Sequence, residues 1–486
     1  MSPTVTAADV LVVGAGPTGL LLAGDLAEAG LSVVLVERRP HQVSNLSRAL
    51  VVHARVLEQF DARGIAEEVV ASGHPISRLA LFEAARLNPS RLPTRYPFVL
   101  FTPQYEVEKV LERRALEAGV AFVYETKVVA VEQDAKGVTA RTEDGTGQPG
   151  GTFRASYLVG ADGVHSSIRP AIGQPFPGDT ILSSLILADV RLDKAPDRPF
   201  VVNAVQDGFA LLTEMGDGLY RVTGWNRHHQ LPDDAPLEVD EVKELLQMNF
   251  GTDYGITEIP WMSRFHSDER QAPAYRVGRV FLAGDAAHVH SPAGAMGMNT
   301  GLQDAANLSW KLVAVLRDGA DDRLLDTYQA ERHAVGKVVL RMSGTLVRAA
   351  LLRGWIARLL RRAAGTVVSN FRPLADKAAS MITGIGIAYK APRGAHKLTG
   401  RRAPDVDLQE GRLNELQRGG RFVLITPDGA DADLPGHVVH AHWTGDRRTT
   451  ALVRPDGYFA WATDRPDEES VRAALTAWAG TTSTSA

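Results

Sequence analysis

The sequence has 486 residues, enough for roughly two to four domains and a sizeable core. Its 44% hydrophobic and 23% charged residues are typical of a folded globular protein, and a formal net charge of −4 argues against a nucleic-acid partner. The lack of cysteine excludes disulfides, thiolate metal sites, cysteine nucleophiles and dithiol redox chemistry. A redox function therefore requires a bound cofactor.

The N-terminal residues show neither the basic segment nor the separate apolar segment of a signal peptide. No apolar run of about 18 residues, the length of a membrane-spanning helix, follows in the chain. We therefore expect a cytoplasmic protein without a membrane span, and its oligomeric state is left open.

The first motif follows a short apolar run at residues 10–13 and reads GAGPTG, before a helical stretch and a second apolar run that ends at Glu37. This order predicts strand, turn, helix and strand within about thirty residues. Gly14 permits the tight turn, Gly16 lets the backbone approach a pyrophosphate, and Gly19 allows close helix–strand packing. Glu37 can accept hydrogen bonds from ribose hydroxyls. The pattern indicates a dinucleotide site that also includes the neighbouring residues Pro17, Thr18 and Arg38.

The remaining chain alternates between helix-and-strand patterns of this nucleotide-binding type and strand-rich aromatic segments. We predict helices at 47–64, 104–116, 299–318, 324–342 and 467–479, a hairpin at 128–141, and strands through 180–225 with a turn at 216–218. Four short strands are predicted between 422 and 462. The alternation predicts two interleaved domains followed by a small α/β domain. The limits are 1–75, 102–175 and 276–390 for the nucleotide-binding domain, 76–101 and 176–275 for a sheet domain, and 400–486 for the last.

Two further motifs also follow predicted strands. They read LVGADGVHSSIR at 158–169 and VFLAGDAAHVHSPAGAMGMNTGLQDA at 280–305. Each motif brings an acidic residue, Asp162 or Asp285, to a glycine-bearing turn. With one acidic residue for each sugar-like segment, the motifs suit a cofactor that is longer than a nicotinamide dinucleotide. The N–H groups of Gly297 to Asn299, at the start of a long helix, would stabilise the charge of an anionic reduced flavin at N1 and the C2 carbonyl.

Together the segments GAGPTG, ADGVHSSIR and AGDAAHVHSPAGAMGMNTGLQDAANLSWKL resemble the class A FAD-dependent aromatic hydroxylases of the p-hydroxybenzoate hydroxylase fold, and especially bacterial aromatic-polyketide hydroxylases. The motifs span residues 10 to about 335, and YQAER at 328–332 is similar to the family's closing helix. The resemblance implies an α/β fold in which a Rossmann-like FAD-binding domain is interleaved with a β-sheet substrate domain. It also implies a C-terminal thioredoxin-like α/β domain, marked by LVRPDGYFAW at 452–461. Since this chain has no CxxC pair, that domain is expected to be structural.

The resemblance also implies roles for individual residues. Glu37 would hold the adenosine ribose, Arg48 would lie near the pyrophosphate, and Gln104 would lie near the ribityl chain. The backbone of Val128 would meet adenine, and Asp285 would hold ribityl or pyrophosphate groups. The other implied cofactor-binding residues are Gly284, Pro292, Gly297, Met298 and Asn299, with Asp162 and Arg169 linked to both FAD and the external nicotinamide. Structural alternatives are a surface ion pair for Arg169 and helix capping for Asp162 and Gln104.

Aromatic residues of the strand-rich segments are candidates for a substrate pocket, with core packing as the alternative for each. They are Phe98, Phe101, Phe209, Tyr220, Trp225 and Phe265, joined by Pro292 and Met296. His288 and His290 lack a third ligand in a matching arrangement, so no metal site is predicted. Asp162, His165 and Ser166 lie on one turn, which does not suit a hydrolytic triad. No catalytic base stands out.

The resemblance implies a monooxygenase that reduces FAD with NADPH or NADH, forms a flavin C4a-hydroperoxide from dioxygen, and hydroxylates a polycyclic aromatic polyketide. Without a second GxGxxG unit, the nicotinamide is expected to dock transiently. One alternative is Baeyer–Villiger oxygenation, and another is an antibiotic-inactivating monooxygenase. A third, from another class, is a flavin-binding protein that steers a reactive intermediate without NADPH turnover. A halogenase is disfavoured because no GWxWxIP segment is present.

Overall fold

The computed structural model describes residues 5–41, 49–81, 85–205, 207–351, 359, 363, 365–367, 370–427 and 434–480. Three sheets of four or more strands organise these residues. The predicted pyrophosphate neighbour Arg48 lies outside the described residues. None of the described helices is both long and apolar enough to cross a membrane.

The strands and helices are as follows. The strands are β1 (Val5–Val13), β2 (Val33–Val36), β3 (Val51–Val52), β4 (His74–Ile76), β5 (Leu79–Leu81), β6 (Ala85–Leu87), β7 (Val99–Phe101), β8 (Ala121–Val123), β9 (Thr126–Asp134), β10 (Gly137–Asp144), β11 (Pro149–Gly160), β12 (Gly178–Leu192), β13 (Phe200–Val205), β14 (Gly208–Gly216), β15 (Leu219–Asn226), β16 (Ile256–Gln271), β17 (Arg276–Val277), β18 (Val280–Leu282), β19 (His288–Val289), β20 (Asp407–Leu408), β21 (Gly411–Arg412), β22 (Phe422–Thr426), β23 (Val438–His442), β24 (Thr450–Val453) and β25 (Phe459–Thr463). The α-helices are α1 (Pro17–Glu28), α2 (Ala54–Asp61), α3 (Ala66–Ala71), α4 (Gln104–Glu117), α5 (Ile168–Ala171), α6 (Val239–Phe250), α7 (Gly297–Leu316), α8 (Asp326–Tyr328) and α9 (Ala334–Ala350), followed by helices at Arg372–Ile382, Leu413–Leu416 and Glu468–Trp478.

An eight-stranded sheet forms the nucleotide-binding part of the fold. Its main path runs β17-β18-β11-β1-β2-β8, with the β9–β10 hairpin attached beside β11. From β18 to β8 the strands are parallel, and the apolar run at residues 10–13 is buried as parallel strands covered on both faces require. Helices α1, α4 and α7 pack together beside this sheet. The predicted strand, turn, helix and strand at the N-terminus are confirmed.

A second, six-stranded antiparallel sheet has the order β13-β14-β15-β12-β16-β19. The predicted turn between β14 and β15 is confirmed: Asp217 and Gly218 have φ of 51° and 71°, which suits a tight hairpin turn. Side chains alternate between its two faces. One face packs against α6 through an apolar cluster that includes Val222 and Leu245. We call the opposite face the inner face, because its side chains contact the loop of residues 292–298.

The C-terminal part is a four-stranded mixed sheet with a terminal helix. β22 runs parallel to β23 and antiparallel to β24, which pairs with β25. Asp467 caps the last helix by accepting a 2.7 Å hydrogen bond from the N–H of Ser470. The predicted strands and helix are confirmed to within about two residues. Trp310 of α7 meets Phe422 edge-on at 5.4 Å, so α7 packs against this sheet as well as the first one.

Two predicted helices differ from the structure. Val51 and Val52, expected within a helix at 47–64, form strand β3 and pair with β7, so the helix begins only at Ala54. β-branched side chains favour a paired strand over a helix, which explains the difference. The predicted helix at 324–342 is instead a 3₁₀ turn, α8, a π-helical turn at Gln329–His333, and α9. The sequence-based domain limits stay a prediction.

Candidate functional site

The three motifs lie side by side at one edge of the eight-stranded sheet. β1, β11 and β18 are adjacent and parallel, with Val13 opposite Gly160 and Gly160 opposite Leu282. The carboxyl ends of parallel strands meet at the same edge, where α/β proteins bind dinucleotides. The ladder continues past the strands, since the Ala161 N–H donates to the Val13 carbonyl at 2.8 Å and the Ala283 N–H to Gly160 at 3.0 Å.

The three glycines of the first motif have different surroundings. Gly14 has a φ of 110°, and a Cβ there would overlap the Ala161 carbonyl; a Cβ on Gly19 would overlap the Gly14 carbonyl. Packing therefore requires both residues to be glycine. Gly16 has φ −81° and ψ 176°, which any residue adopts, and its Cβ would meet nothing within 4 Å among the described residues. This open space, at the N-terminus of α1, fits a bound pyrophosphate.

Pro17 and Thr18 begin helix α1. Pro17 occupies the first turn, where its missing N–H costs no helical hydrogen bond. The Thr18 hydroxyl lies between two glycines of the third motif: it would meet a Cβ on Gly284 at 2.8 Å and would overlap one on Gly301. Thr18 therefore joins the first motif to the third.

Glu37 directly follows β2 beside the glycine turn, and its side chain is buried. Its carboxylate accepts hydrogen bonds from the Ala15 N–H at 2.7 Å and from Arg39 Nε at 2.9 Å. Burial alone would raise the pKa of Glu37, but these bonds and the charge of Arg39 lower it. The carboxyl is therefore ionised and an acceptor. Arg38 is exposed, and its predicted role toward a cofactor stays a prediction.

Gln104 lies at the first position of α4. Its N–H donates to the Ala49 carbonyl at 3.1 Å, and its side-chain amide donates to Glu108 at 2.8 Å. Burial raises the pKa of Glu108, and the positive charge of Arg39 opposes that rise, so the start of α4 lies near the Arg39–Glu37 pair. Val128 is buried on β9 opposite Thr142. The roles of Gln104 and Val128 toward a cofactor stay predictions.

Asp162 caps the short helix α5 with one of its two carboxylate oxygens. Its Oδ2 accepts hydrogen bonds from the N–H groups of Ser167 at 2.6 Å and Ile168 at 3.3 Å. This oxygen therefore has the capping role that was the structural alternative. Its Oδ1 is buried and has no hydrogen-bond partner among the described residues. A buried carboxylate oxygen without a partner is costly, and a hydroxyl or amide donor of a bound cofactor would satisfy it.

Arg169 fastens the second motif to the third. Its Nη2 donates to the Val164 carbonyl at 2.9 Å and its Nη1 to the Ala286 carbonyl at 3.0 Å. The guanidinium also stacks 3.7 Å from the centre of the Phe176 ring. Arg169 is buried, so it is not the surface ion pair that was the structural alternative. A link to the nicotinamide cofactor stays a prediction.

Asp285 occupies the middle of a 3₁₀ turn, Gly284–Ala286, and its side chain is exposed. The flanking residues of the turn are fixed by buried groups: the Gly284 N–H donates to Asp304 Oδ2 at 3.1 Å, and the Ala286 carbonyl accepts from Arg169. A rigid turn that presents an exposed carboxylate beside the glycine motif fits a residue that binds cofactor hydroxyls.

The loop at 292–298 connects this turn to α7, which begins at Gly297. Gly294 and Ala295 have positive φ values of 81° and 52°, an uncommon conformation for alanine. Asn299 fixes the loop, since its amide donates to the Ala295 carbonyl at 2.9 Å and to Val51 at 2.8 Å. Pro292 is exposed, and Met298 packs on the core of the first sheet. The N–H groups of the first turn of the 20-residue α7 helix place partial positive charge beside the loop.

A buried ion-pair cluster behind the Gly284 turn was missed by the sequence reasoning. Asp304 Oδ2 accepts from His288 at 2.7 Å, and Asp304 Oδ1 accepts from Arg332 Nε at 2.6 Å. All three side chains are fully buried. Burial would raise the pKa of Asp304, and the charges of Arg332 and His288 lower it. The described residues contain no group of three or more His, Cys, Asp or Glu arranged for a metal ion.

The candidate substrate residues separate into different places. Trp225 and Phe265 form an apolar cluster on the inner face with Phe209 packed against them, and the cluster includes Ala293 of the loop. Phe101 meets Phe200 at 4.8 Å in a second cluster, which includes Ala295. These residues therefore lie on the surfaces that face the 292–298 loop.

Three candidates lie elsewhere. The expectation for Tyr220 is corrected, because its side chain packs on the opposite face, under α6. Neighbouring residues on a strand point to opposite faces of the sheet, and the strand register decides which of them point to the inner face and which to α6. Met296 is buried among Val335, Val339 and Tyr389, and its assignment to a substrate pocket stays a prediction. Phe98 packs against the apolar core of the eight-stranded sheet, and its ring meets Tyr96 edge-on with ring centres 6.1 Å apart.

The fold and the site together define a dinucleotide-binding α/β protein with a second, substrate-type sheet facing the cofactor loop. Profiles of two families match the chain: the family described as "FAD binding domain" matches residues 7–343, and "Aromatic-ring hydroxylase, C-terminal" matches residues 396–482. The chain therefore belongs to the FAD-binding family of flavoprotein aromatic monooxygenases. FAD is its cofactor, and NADPH as reductant is typical of the family.

Individual relatives agree with this assignment. The chain is 35% identical to rifampicin monooxygenase of Streptomyces venezuelae, over 97% of this chain and 98% of the relative. It is 36% identical to the 12-dehydrotetracycline 5-monooxygenase/anhydrotetracycline 6-monooxygenase of Streptomyces rimosus, over 97% and 99%. The solved structure of OxyS anhydrotetracycline hydroxylase from Streptomyces rimosus superposes with a TM-score of 0.85 at 33% identity, covering 98% of this chain and 99% of that one. The predicted class A hydroxylase fold is thus confirmed.

Proposed function

We propose that this protein hydroxylates a polycyclic aromatic substrate of the polyketide type, with NADPH as the electron donor. The observation that carries the proposal is the position of the 292–298 loop against the inner face. Ala293 packs in the cluster with Trp225 and Phe265, and Ala295 packs in the cluster with Phe101. Two aromatic surfaces meeting one loop support binding of a wide, flat, apolar molecule.

The inner face also carries one strongly polar pair. Arg221 and Asp189 lie opposite each other on β15 and β12, with Nε–Oδ1 at 2.6 Å and Nη2–Oδ2 at 2.8 Å, and both are buried. The guanidinium lies 5.4 Å from the centre of the Trp261 ring. This pair supports a substrate that combines apolar rings with oxygen substituents, which polar groups at one end of the face would orient.

The roles proposed for the cofactor-binding residues follow from the contacts above. Gly16 and the start of α1 would receive the pyrophosphate, Glu37 the adenosine ribose, and Asp285 hydroxyls of the ribityl segment. The start of α7 would stabilise negative charge on the reduced ring system. When bound, FAD supplies the reducing equivalents and activates dioxygen for transfer of one oxygen atom.

In this proposal the residues of the chain bind and orient FAD and the substrate, and no side chain has to act as a base. His53 and His290, the buried histidines beside the loop, have pKa values lowered by burial to about 4 and about 3. Both are therefore neutral at pH 7. The substrate is expected to control flavin reduction by its presence in the site, which limits wasteful release of peroxide.

The experiment has an anaerobic and an aerobic part. Stopped-flow mixing of the anaerobic holoprotein with NADPH, with and without tetracyclic phenolic candidates, should show reduction several-fold faster with a true substrate. Aerobic turnover should then add one oxygen atom to that compound, and product NMR should show a ring hydroxyl. A lactone or ester in the product would indicate Baeyer–Villiger insertion instead. Conversion of a substrate without NADPH consumption would overturn the proposal in favour of a protein that steers a reactive intermediate.

A further inference from the structure

A π-helical turn connects two buried networks of polar side chains. It spans Gln329–His333, between α8 and α9. Such turns are rare, and they occur frequently at functional sites. Its neighbouring residues Glu331 and Arg332 belong to two different buried networks, one toward the C-terminal sheet and one toward the Gly284 turn.

Arg332 belongs to the network behind the Gly284 turn. Its Nε lies 2.6 Å from Asp304, which accepts from the Gly284 N–H and from His288 through its other oxygen. Gly284 and Asp285 are adjacent in one turn, so Arg332 and Asp304 hold the backbone next to the carboxylate that is proposed to bind FAD.

Glu331 belongs to the network that reaches the C-terminal sheet. Arg454, which follows β24, contacts it through Nη1 at 2.6 Å and Nη2 at 3.1 Å, and Lys311 of α7 contacts it at 2.9 Å. Arg454 is buried, and four aromatic rings surround its guanidinium at 5.1 to 5.6 Å. These rings are Trp310, Tyr389, Tyr458 and Trp478.

Tyr389 connects the two networks with a single atom. Its hydroxyl oxygen accepts from Arg332 Nη1 at 3.2 Å and from Asn307 Nδ2 at 3.3 Å, and the same Asn307 amide donates to Glu331 at 2.7 Å. Tyr389 also packs against Tyr458 of the C-terminal part, with ring centres 4.3 Å apart and ring planes tilted by 34°. Tyr389 lies between the two regions that match the family profiles.

We propose that Tyr389 is a positioning residue through which the docked C-terminal part fixes Arg332, Asp304 and the Gly284 turn, and thereby tightens the binding of FAD. The C-terminal part then contributes to cofactor binding although it supplies none of the residues assigned to the FAD site. The inference rests on FAD as the cofactor and on the proposed role of Asp285.

The chain offers a closely matched control for the test. The Tyr458 hydroxyl is buried in the same pair of contacting rings, yet it has no hydrogen-bond partner among the described residues. Tyr389→Phe removes the bridging oxygen, and Tyr458→Phe removes an unused one from the same surroundings. Neither change removes a ring or creates a cavity larger than one hydroxyl, so both variants are expected to fold.

The measurement is FAD affinity, from titration of each apoprotein by flavin fluorescence, together with the midpoint potential of the bound flavin. Tyr389→Phe should raise the Kd for FAD by about three- to tenfold, as loss of one hydrogen bond of ordinary net strength predicts, and should shift the potential. Tyr458→Phe should leave both unchanged. Equal effects of the two variants, or none from Tyr389→Phe, would overturn the inference.

A second comparison tests the route through Asp304. If Tyr389 acts through that carboxylate, adding Tyr389→Phe to Asp304→Asn should weaken FAD binding no further than Asp304→Asn alone. Independent, additive losses would contradict the proposed route. Wild-type protein that binds FAD and hydroxylates its substrate, combined with a silent Tyr389→Phe, would refute this inference while leaving the proposed function intact.

Discussion

Gly16→Ala provides a sharp test of the FAD site, because the structure separates this glycine from its two neighbours. Its backbone conformation suits alanine, and its Cβ would meet nothing within 4 Å among the described residues. Alanine at this helix-capping position costs less than about 1 kcal/mol relative to glycine. We therefore expect an apoprotein that unfolds at nearly the wild-type urea concentration.

We expect Gly16→Ala to weaken FAD binding much more than it lowers the free energy of unfolding. The added methyl group would occupy the space where the pyrophosphate is proposed to approach the N-terminus of α1. Losing one charged hydrogen bond there costs about 1.5–3 kcal/mol, which corresponds to a Kd for FAD that is roughly 10- to 150-fold higher. Gly14→Ala and Gly19→Ala provide the contrast, because each new Cβ would overlap a backbone carbonyl. They should destabilise the apoprotein itself by several kcal/mol, on the order of the cost of overpacking plus backbone strain.

The assay combines urea unfolding of the apoprotein with FAD titration followed by flavin fluorescence. Gly436→Ala is the control: its Cβ also meets nothing within 4 Å in the described part of the chain, and it lies in the turn before β23. It should change neither quantity. A wild-type Kd for FAD in Gly16→Ala would show that the pyrophosphate does not bind at this helix. Destabilisation equal to that of Gly19→Ala would show that the glycine serves folding.

The other predictions concern pH, the link between motifs and the substrate face. Because burial lowers the pKa of His53 to about 4 and of His290 to about 3, the unfolded chain binds protons below pH 6.5 that the native state excludes. The free energy of unfolding should therefore fall as pH decreases from 6.5 to 5, with a slope for each histidine that rises from about 0.7 to about 1.4 kcal/mol per pH unit; urea titrations of His53→Gln should give a smaller slope, and an unchanged slope would contradict the assignment. Arg169→Ala removes the bonds to two motif carbonyls, so it should raise the Kd for FAD and slow stopped-flow reduction, and normal values of both would exclude the fastening role. Phe209→Ala on the inner face should raise KM for the substrate with FAD bound normally, whereas Tyr220→Ala under α6 should lower the free energy of unfolding by about 3 kcal/mol with KM unchanged; steady-state kinetics and urea unfolding distinguish the two, and the reverse pattern would refute the assignment of faces.

The sequence by itself determined the nucleotide-binding edge of the fold. Each of the three motifs is a local pattern in which a strand, a glycine-bearing turn and a helix start follow one another, and such patterns depend on nearby residues. The positions of Gly14, Gly19 and Glu37 could therefore be predicted without tertiary information. The hairpin turn at Asp217 and the C-terminal strands were predicted for the same reason, because turn residues and alternating apolar residues act over a few positions.

Only the tertiary structure decided which side chains face the site. Tyr220 faces α6 while Trp225 faces the loop, because residues an odd number of positions apart on a strand point to opposite faces, and only strand pairing decides which face meets α6. The contact between Asp304 and Arg332 joins residues 28 positions apart through a π-helical turn that the periodic pattern did not indicate. Buried charges need partners, and those partners come from elements that meet only after folding, so no local pattern in the sequence specifies them.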